Sequence, residues 1–153
     1  MATIKDRYGK PIAPVGNDAP MTDMEVRIFL RDTDPSANLL LDDFEFSPEE
    51  IRTAMNLAVD KWNDTPPDIY RMDYDHFPFR SILLLGVASN LLAMAAHLYR
   101  RNSLQLNAGG TSVNDQAKSQ EYDQASLRLR EEYMRAIRTK KRELNSNLGW
   151  GWA

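Results

Sequence analysis

An all-α fold is what this sequence predicts, and three observations predict it. Ser47-Pro48-Glu49-Glu50 has the form of a helix capping box with proline at the first helical position. Residues 81–101, SILLLGVASNLLAMAAHLYRR, carry no full charge between Ile82 and Leu98. A last stretch, from about Asp115 to Asn145, sets Tyr122, Ser126, Leu129, Tyr133, Ile137, Lys140 and Leu144 along one side, flanked by Ala125 and Ala136. No segment alternates with the two-residue period of a strand, and no internal repeat is present. The expected architecture is a small helical bundle with a long central apolar helix, a long C-terminal helix, and extended N- and C-terminal arms.

The elements follow in order. Residues 1–20 hold Pro11, Pro14 and Pro20 with Gly9 and Gly16 and show no helical or strand period, so they read as an extended arm. A helix is predicted from Thr22 to Arg31, with Thr22 as N-cap, Asp23 and Glu25 in the first turn, and Met24, Ile28 and Leu30 as its apolar side. DTDPS, residues 32–36, ends it, and ANLLLDDFEF leads on as a short helical or irregular link. After the capping box, Ile51, Met55, Ala58, Val59 and Trp62 make one apolar face, until Pro66-Pro67 stops the helix. Residues 64–78 form a loop whose Ile69, Tyr70, Met72, Tyr74 and Phe77 are placed to pin it to the core. The central helix runs from about Phe79 to about Leu104, some 26 residues or roughly 39 Å at the helical rise. Asn107 to Thr111 turns the chain into the last helix. Three segments result: an arm over 1–20, a helical domain over 21–145 and a tryptophan-containing tail over 146–153.

The central stretch is long enough to pose as a membrane span. Its polar residues argue otherwise: Ser81, Gly86, Ser89, Asn90 and His97 would be costly in lipid. The helices before and after it also present apolar faces that need a partner inside the protein. A helix apolar nearly all round between amphipathic neighbours is a bundle centre, with Asn90 and His97 as bonded interior or interface groups. No membrane contact is expected, and the N-terminal residues lack the apolar core of a signal peptide.

No motif in the sequence has the spacing of a catalytic or metal site. The chain has no cysteine, which removes thiolate metal sites and cysteine nucleophiles. His76 and His97 stand apart from any metal-ligand spacing. Ser89 lies in GVASN, inside a helix and outside any nucleophile elbow. Gly109-Gly110-Thr111 lacks the lysine of a phosphate loop. Asp32, Asp34, Ser36 and Asp43 fall at calcium-loop positions, but Ala37 stands where the sharp turn needs glycine, and Asp43 replaces the bidentate glutamate. A helix-capping turn is the better reading. No catalytic residue, cofactor or metal is expected, and the chain is not read as an enzyme.

Interaction is the remaining theme. Residues 1–75 carry 16 acids against 8 bases, a net of −8, while residues 76–153 carry 6 against 11, a net of +5. Such polarity suits head-to-tail contact between copies, or one end facing an acidic partner or nucleic acid. Arg135, Arg138, Lys140, Lys141 and Arg142 form a basic cluster near the end of the last helix. It reads as a solvated helix face, or as a site for an acidic partner or DNA phosphates. Trp150 and Trp152 in LGWGWA read as anchors for a partner's pocket, or as side chains folded back on the bundle.

DMEVRIFLRD, an acidic link, EEIRTAMNLAVDKW, a proline-containing loop and SILLLGVASNLLAMAAHLYRRN stand in that order over about residues 22–113. In pattern and order this resembles the head–tail connector (adaptor or head-completion) proteins of tailed bacteriophages. No invariant chemical motif carries the resemblance, and neither the basic last helix nor the tail matches a family motif residue by residue. The resemblance implies a structural virion protein of the neck, made in the host cytoplasm, that assembles as a homo-oligomeric, dodecameric ring. The ring would join the portal protein to the next neck or tail protein around the DNA channel, with the basic residues near 135–142 meeting an acidic portal surface or channel DNA. Other readings stay open: another tail or baseplate component, a small membrane protein, or a DNA-binding regulatory protein.

Overall fold

The computed structural model describes residues 20–37, 43–69, 71–103 and 115–147. Within these residues the chain forms four α-helices and one 3-10 turn, with no strand: α1 (Asp23–Leu30), the turn at Pro35–Ala37, α2 (Pro48–Asp64), α3 (Arg80–Ser103) and α4 (Asp115–Asn147). The all-α bundle read from the sequence is the fold. Residues 1–19 of the arm, the turn expected at Asn107 to Thr111, and the six residues after Asn147, Trp150 and Trp152 among them, lie outside the described residues. Since α4 runs to Asn147, the helical unit extends two residues past the expected boundary at 145.

Local chemistry starts α1 and α2 in the same way. Ser47 Oγ accepts from the Glu50 backbone N–H at 3.2 Å while Glu50 Oε2 accepts from the Ser47 N–H at 2.8 Å. Thr22 and Glu25 repeat that reciprocal box at α1. Each box satisfies amides that the first helical turn leaves without a partner. The C-terminus of α1 turns through Arg31 in the left-handed region (φ 62°), which lets the Asp32 N–H reach the Arg27 carbonyl at 2.9 Å.

The central helix lies between α2 and α4, and its cross-contacts fix the register. Ser89 Oγ donates to the Ser126 carbonyl at 3.1 Å, and Ser126 Oγ returns a bond to the Ser89 carbonyl at 3.0 Å. Ser119 Oγ donates to the Ala96 carbonyl at 3.2 Å. Partner numbers fall as α3 numbers rise, so α4 packs antiparallel to α3. The same test on the other side, Asn90 Nδ2 to the Ala54 carbonyl at 3.1 Å and Gly86 against Ala58, sets α2 antiparallel too. Glycine, alanine and serine line this seam because only small side chains let helix backbones approach so closely. No residue from 82 to 96 is exposed. Arg80–Arg101 is long and apolar enough to cross a membrane by length and composition, and 44% of that window is buried by the protein's own elements.

At the middle of the seam the Tyr133 ring lies directly over Gly86. A Cβ added to Gly86 would stand 2.7 Å from two ring atoms of Tyr133 and 3.0 Å from the Ala58 Cβ. The ring cannot swing aside freely, because Tyr133 Oη donates to the Ala58 carbonyl at 2.5 Å and the residue is buried. Burial also pushes the Tyr133 hydroxyl pKa well above its usual value, so it stays protonated as the donor. Beyond this point Trp62, Phe77 and Phe79 form an aromatic group with centroids 5.2–6.0 Å apart. Phe77 is buried, and Ile69, Met72 and Tyr74 pack against the core, as expected of the 64–78 loop; Tyr70 lies outside the described residues. Asn63 holds the loop with two 2.9 Å bonds to the Met72 backbone.

Three expectations need correction. The apolar side assigned to α1 holds only for Leu30, which packs against the core: Met24 and Ile28 are 55% and 56% exposed, while Val26 and Arg27 are buried. Arg27 faces inward because Asp32 (2.7 Å) and the Phe46 carbonyl (2.6 Å) neutralise and bond its guanidinium. On α4 the buried row continues from Ile137 through Lys141, not Lys140, to Leu144. Finally, of the two residues expected as interior or interface groups, Asn90 has an interior bond, while His97 is exposed and so is not an interior group.

Two outcomes follow from these contacts. Gly86→Ala gains up to about 1 kcal/mol of helix propensity, but forces Tyr133 off its seat at a cost of about 1–3 kcal/mol, the usual range for overpacking. Urea denaturation should therefore show net destabilisation, whereas the same change at an exposed position would stabilise. Hydrogen bonds from Thr22, and behind them the Arg80 guanidinium, hold the Glu25 carboxyl below its ordinary value of 4.5 against an opposing push from burial. A folded-state pKa below the unfolded one gives stability that is complete above the unfolded value and lost as pH falls through the folded value. On acidification through that window the native protein should lose more stability than Glu25→Gln.

Candidate interaction surfaces

The five bases of the sequence cluster separate once α4 is built. At 100° per residue, Arg138 and Arg142 fall on the outward side near Arg135, and the exposed Arg130 stands about two turns before Arg138. These four arginines, with Leu127, Glu131, Met134 and Thr139, line an open trough of about 660 Å³ along α4. None of the four has an ion pair among the described residues. Against one acid, Glu131, the trough is strongly positive. Its floor is partly apolar, since Leu127 is 54% exposed and Met134 lies half-buried beside it.

Lys141 points the other way and is fully buried. Its ammonium donates to the carbonyls of Thr65 and of Pro67, the latter at 3.2 Å, and sits 5.3 Å above the Trp62 ring. It closes the end of α2, where Thr65 Oγ1 already bonds the Lys61 carbonyl at 2.6 Å. Burial lowers the Lys141 pKa, and Asp68 and Asp64 partly offset that effect. Lys141 therefore belongs to the fold and cannot meet a partner. Lys140 is half-buried, pairs with Glu143 at 3.1 Å and lies 5.1 Å from the Phe79 ring centroid. Of the sequence cluster, Arg135, Arg138 and Arg142 remain available. Sequence reasoning missed Arg130 and Leu127, although Arg130, Met134, Arg138 and Arg142 stand at successive four-residue steps.

A second surface is the outer side of α1. Met24, Ile28 and Phe29 are 55%, 56% and 43% exposed and form one apolar row. The exposed Asp23 adjoins it, as does the loop carrying exposed Asp73 and Asp75. That loop is held against α1 by a hydrogen bond from the Tyr74 hydroxyl to the Met21 carbonyl. Burial and the nearby charges of Asp23 and Asp75 raise the Tyr74 pKa, against a smaller opposing effect of Arg52 and Arg80.

A third cluster is structural. Glu45 accepts from Tyr99 and Tyr122 at 2.9 Å, and Lys118 Nζ donates to Tyr99 Oη at 2.7 Å. Burial, then the Glu45 charge, pushes the Tyr122 hydroxyl far above its usual value, so it stays protonated as the donor to Glu45. The set clasps the link before α2 to the facing ends of α3 and α4.

The calcium-loop positions are occupied by backbone bonds. Asp32 accepts from the Glu45 and Phe46 amides at 2.8 and 3.2 Å, and Asp34 accepts from the Ser36 amide at 2.9 Å. No group of three or more metal-ligating side chains occurs among the described residues. No family model matches the chain, and neither a curated protein nor a solved structure matches it.

The two kinds of base on α4 should separate by mutation. Lys141→Ala should lower the unfolding free energy by about 2–3 kcal/mol, because charged donors contribute about 1.5–3 kcal/mol per hydrogen bond and two carbonyls lose theirs. Arg138→Ala and Arg142→Ala should stay within about 0.5 kcal/mol of the native protein, as exposed substitutions do. Urea midpoints of the three variants measure the contrast.

Proposed function

We propose that this protein is a structural component of a bacteriophage neck, assembling as a ring that joins the portal to the tail around the DNA channel. The observation that carries the reading is the pair of unlike surfaces on one small helical body. One is an acid-flanked apolar row on α1, and the other is a trough on α4 with four arginines that have no ion pair among the described residues. Two different, complementary patches on the same chain make heterologous contacts, and such contacts close into rings when the rotation between neighbours permits. The order of helices and the sequence patterns along residues 22–113 direct the ring to the neck. Support also comes from chemistry: the polar clusters around Asp32, Glu45 and Lys141 are consumed in holding the fold.

In this role the rigid α2–α3–α4 body provides the wall of the ring. The exposed arginines and the tail tryptophans, Trp150 and Trp152, provide contacts to neighbours. The test is the mass of the full chain by light scattering after size exclusion, alone and then mixed with portal rings of the same virus. The chain should remain in solution without detergent and add to the portal as one closed ring. A detergent requirement would turn the reading toward a membrane protein, and indifference to the portal toward another joint of the virion.

A further inference from the structure

We infer that the apolar row of α1 in one copy seats in the arginine trough of α4 in the next copy, head to tail. The inference rests on the ring reading above and names the two surfaces that make its repeating contact. Every side chain lining the trough belongs to α4, so the trough has one wall and no opposite side. A small molecule would remain largely in water there, whereas a second macromolecule supplies the missing wall. The floor decides which kind of macromolecule fits. Duplex DNA offers phosphates to Arg130, Arg135, Arg138 and Arg142 but nothing that gains from covering Leu127 and Met134. An apolar surface edged with carboxylates satisfies both the floor and the rim.

The chain itself carries such a surface. Met24 and Ile28 stand one turn apart on α1 with Phe29 beside them, each more than two-fifths exposed. Asp23 lies at the start of the row, and the loop tied to α1 through Tyr74 and Met21 brings Asp73 and Asp75 to the same end. Arg31 is exposed at the other end of α1. At its start Asp23, Asp75 and Asp73, the last paired with His76 at 2.7 Å, outnumber the nearby Arg52 and Arg80, and Arg80 is already paired with Glu25, so the charge complementarity is directional. It puts the acidic start of α1, not its basic end, over the arginines. The row is short enough to fit: the eight residues of α1 span about 12 Å, and the trough from Leu127 to Arg142 about 22 Å, at the helical rise. Seating the row covers both sets of exposed apolar side chains and brings the trough arginines to carboxylates, whose geometry their guanidinium groups match.

The absence of cysteine makes the contact directly testable in the full chain. Phe29→Cys and Leu127→Cys are each exposed substitutions, so each variant should fold with an unchanged melting temperature. Mixed in equal amounts and oxidised, free and again in the presence of portal rings, they should give a disulfide-linked heterodimer. A control mixture of Leu57→Cys with Leu127→Cys should give several-fold less, because Leu57 is exposed on α2 outside the row. Arg138→Glu added to the Leu127→Cys chain should lower the yield several-fold, and Asp23→Arg in the partner should restore it. Cross-linking no better than the control, both free and with portal, overturns the contact; if the protein still adds to the portal, the neck reading stands. Cross-linking by a protein that ignores the portal leaves the contact standing and overturns the neck reading. Salt-dependent binding of the native chain to duplex DNA, with a slope reduced by Arg138→Ala, would make nucleic acid the occupant of the trough and overturn the inference.

Discussion

The close approach of α3 to its neighbours at Gly86 is the constraint on which the remaining structure depends. With no Cβ at this position, the Tyr133 ring lies flush against α3, and its hydroxyl reaches across to the Ala58 carbonyl of α2. One side chain thus ties all three long helices at one level. Serine and alanine continue the seam toward the far end of the pair, where Ser89–Ser126 and Ser119–Ala96 bonds satisfy side chains that would otherwise be buried without partners. These bonds also set the register, because a shift of one residue would leave buried hydroxyls unsatisfied.

Fixing that side of α4 decides what the other side can do. Once Ser119, Ser126, Tyr133 and Ile137 face α3, helical geometry turns Arg138 and Arg142 outward, and neither has an ion pair among the described residues. The interior also takes one of the bases. Lys141 gives its charge to two carbonyls at the end of α2, beneath the aromatic group around Trp62, and that burial reports on the fold's need to finish a helix. A run of bases that looks uniform in one dimension becomes a structural lysine, a lysine packed on Phe79 beside its glutamate, and three available arginines.

The same division appears at α1. An arginine is inside and two aliphatic side chains are outside, the reverse of simple hydrophobic sorting. Arg27 can be buried because Asp32 and the Phe46 carbonyl lie within bonding distance, and Asp32 in turn receives the amides of Glu45 and Phe46. The apolar row that this rotation exposes is unused by the monomer. A self-contact that covers it would join the interior logic of α1 to the outward arginines of α4 through one interface.

Helix existence was legible in the sequence, because caps and periodic apolar faces act within a few residues of one another. Thr22, Ser47 with Glu50, and the spacing from Ile51 to Trp62 identify α1 and α2 by local rules alone. The apolar content of residues 82–98 likewise marks the helix with most neighbours. The candidate site was legible only in part, since Arg135, Arg138 and Arg142 are in it while Lys141 is not. What tertiary structure decided was the rotation of each helix about its axis: which side of α1 turns in, and whether residue 140 or 141 meets the core. These choices depend on partners far away in sequence, Phe46 for Arg27 and Thr65 for Lys141. A buried charge is stable only where such partners converge, and periodicity in one dimension carries no record of that convergence.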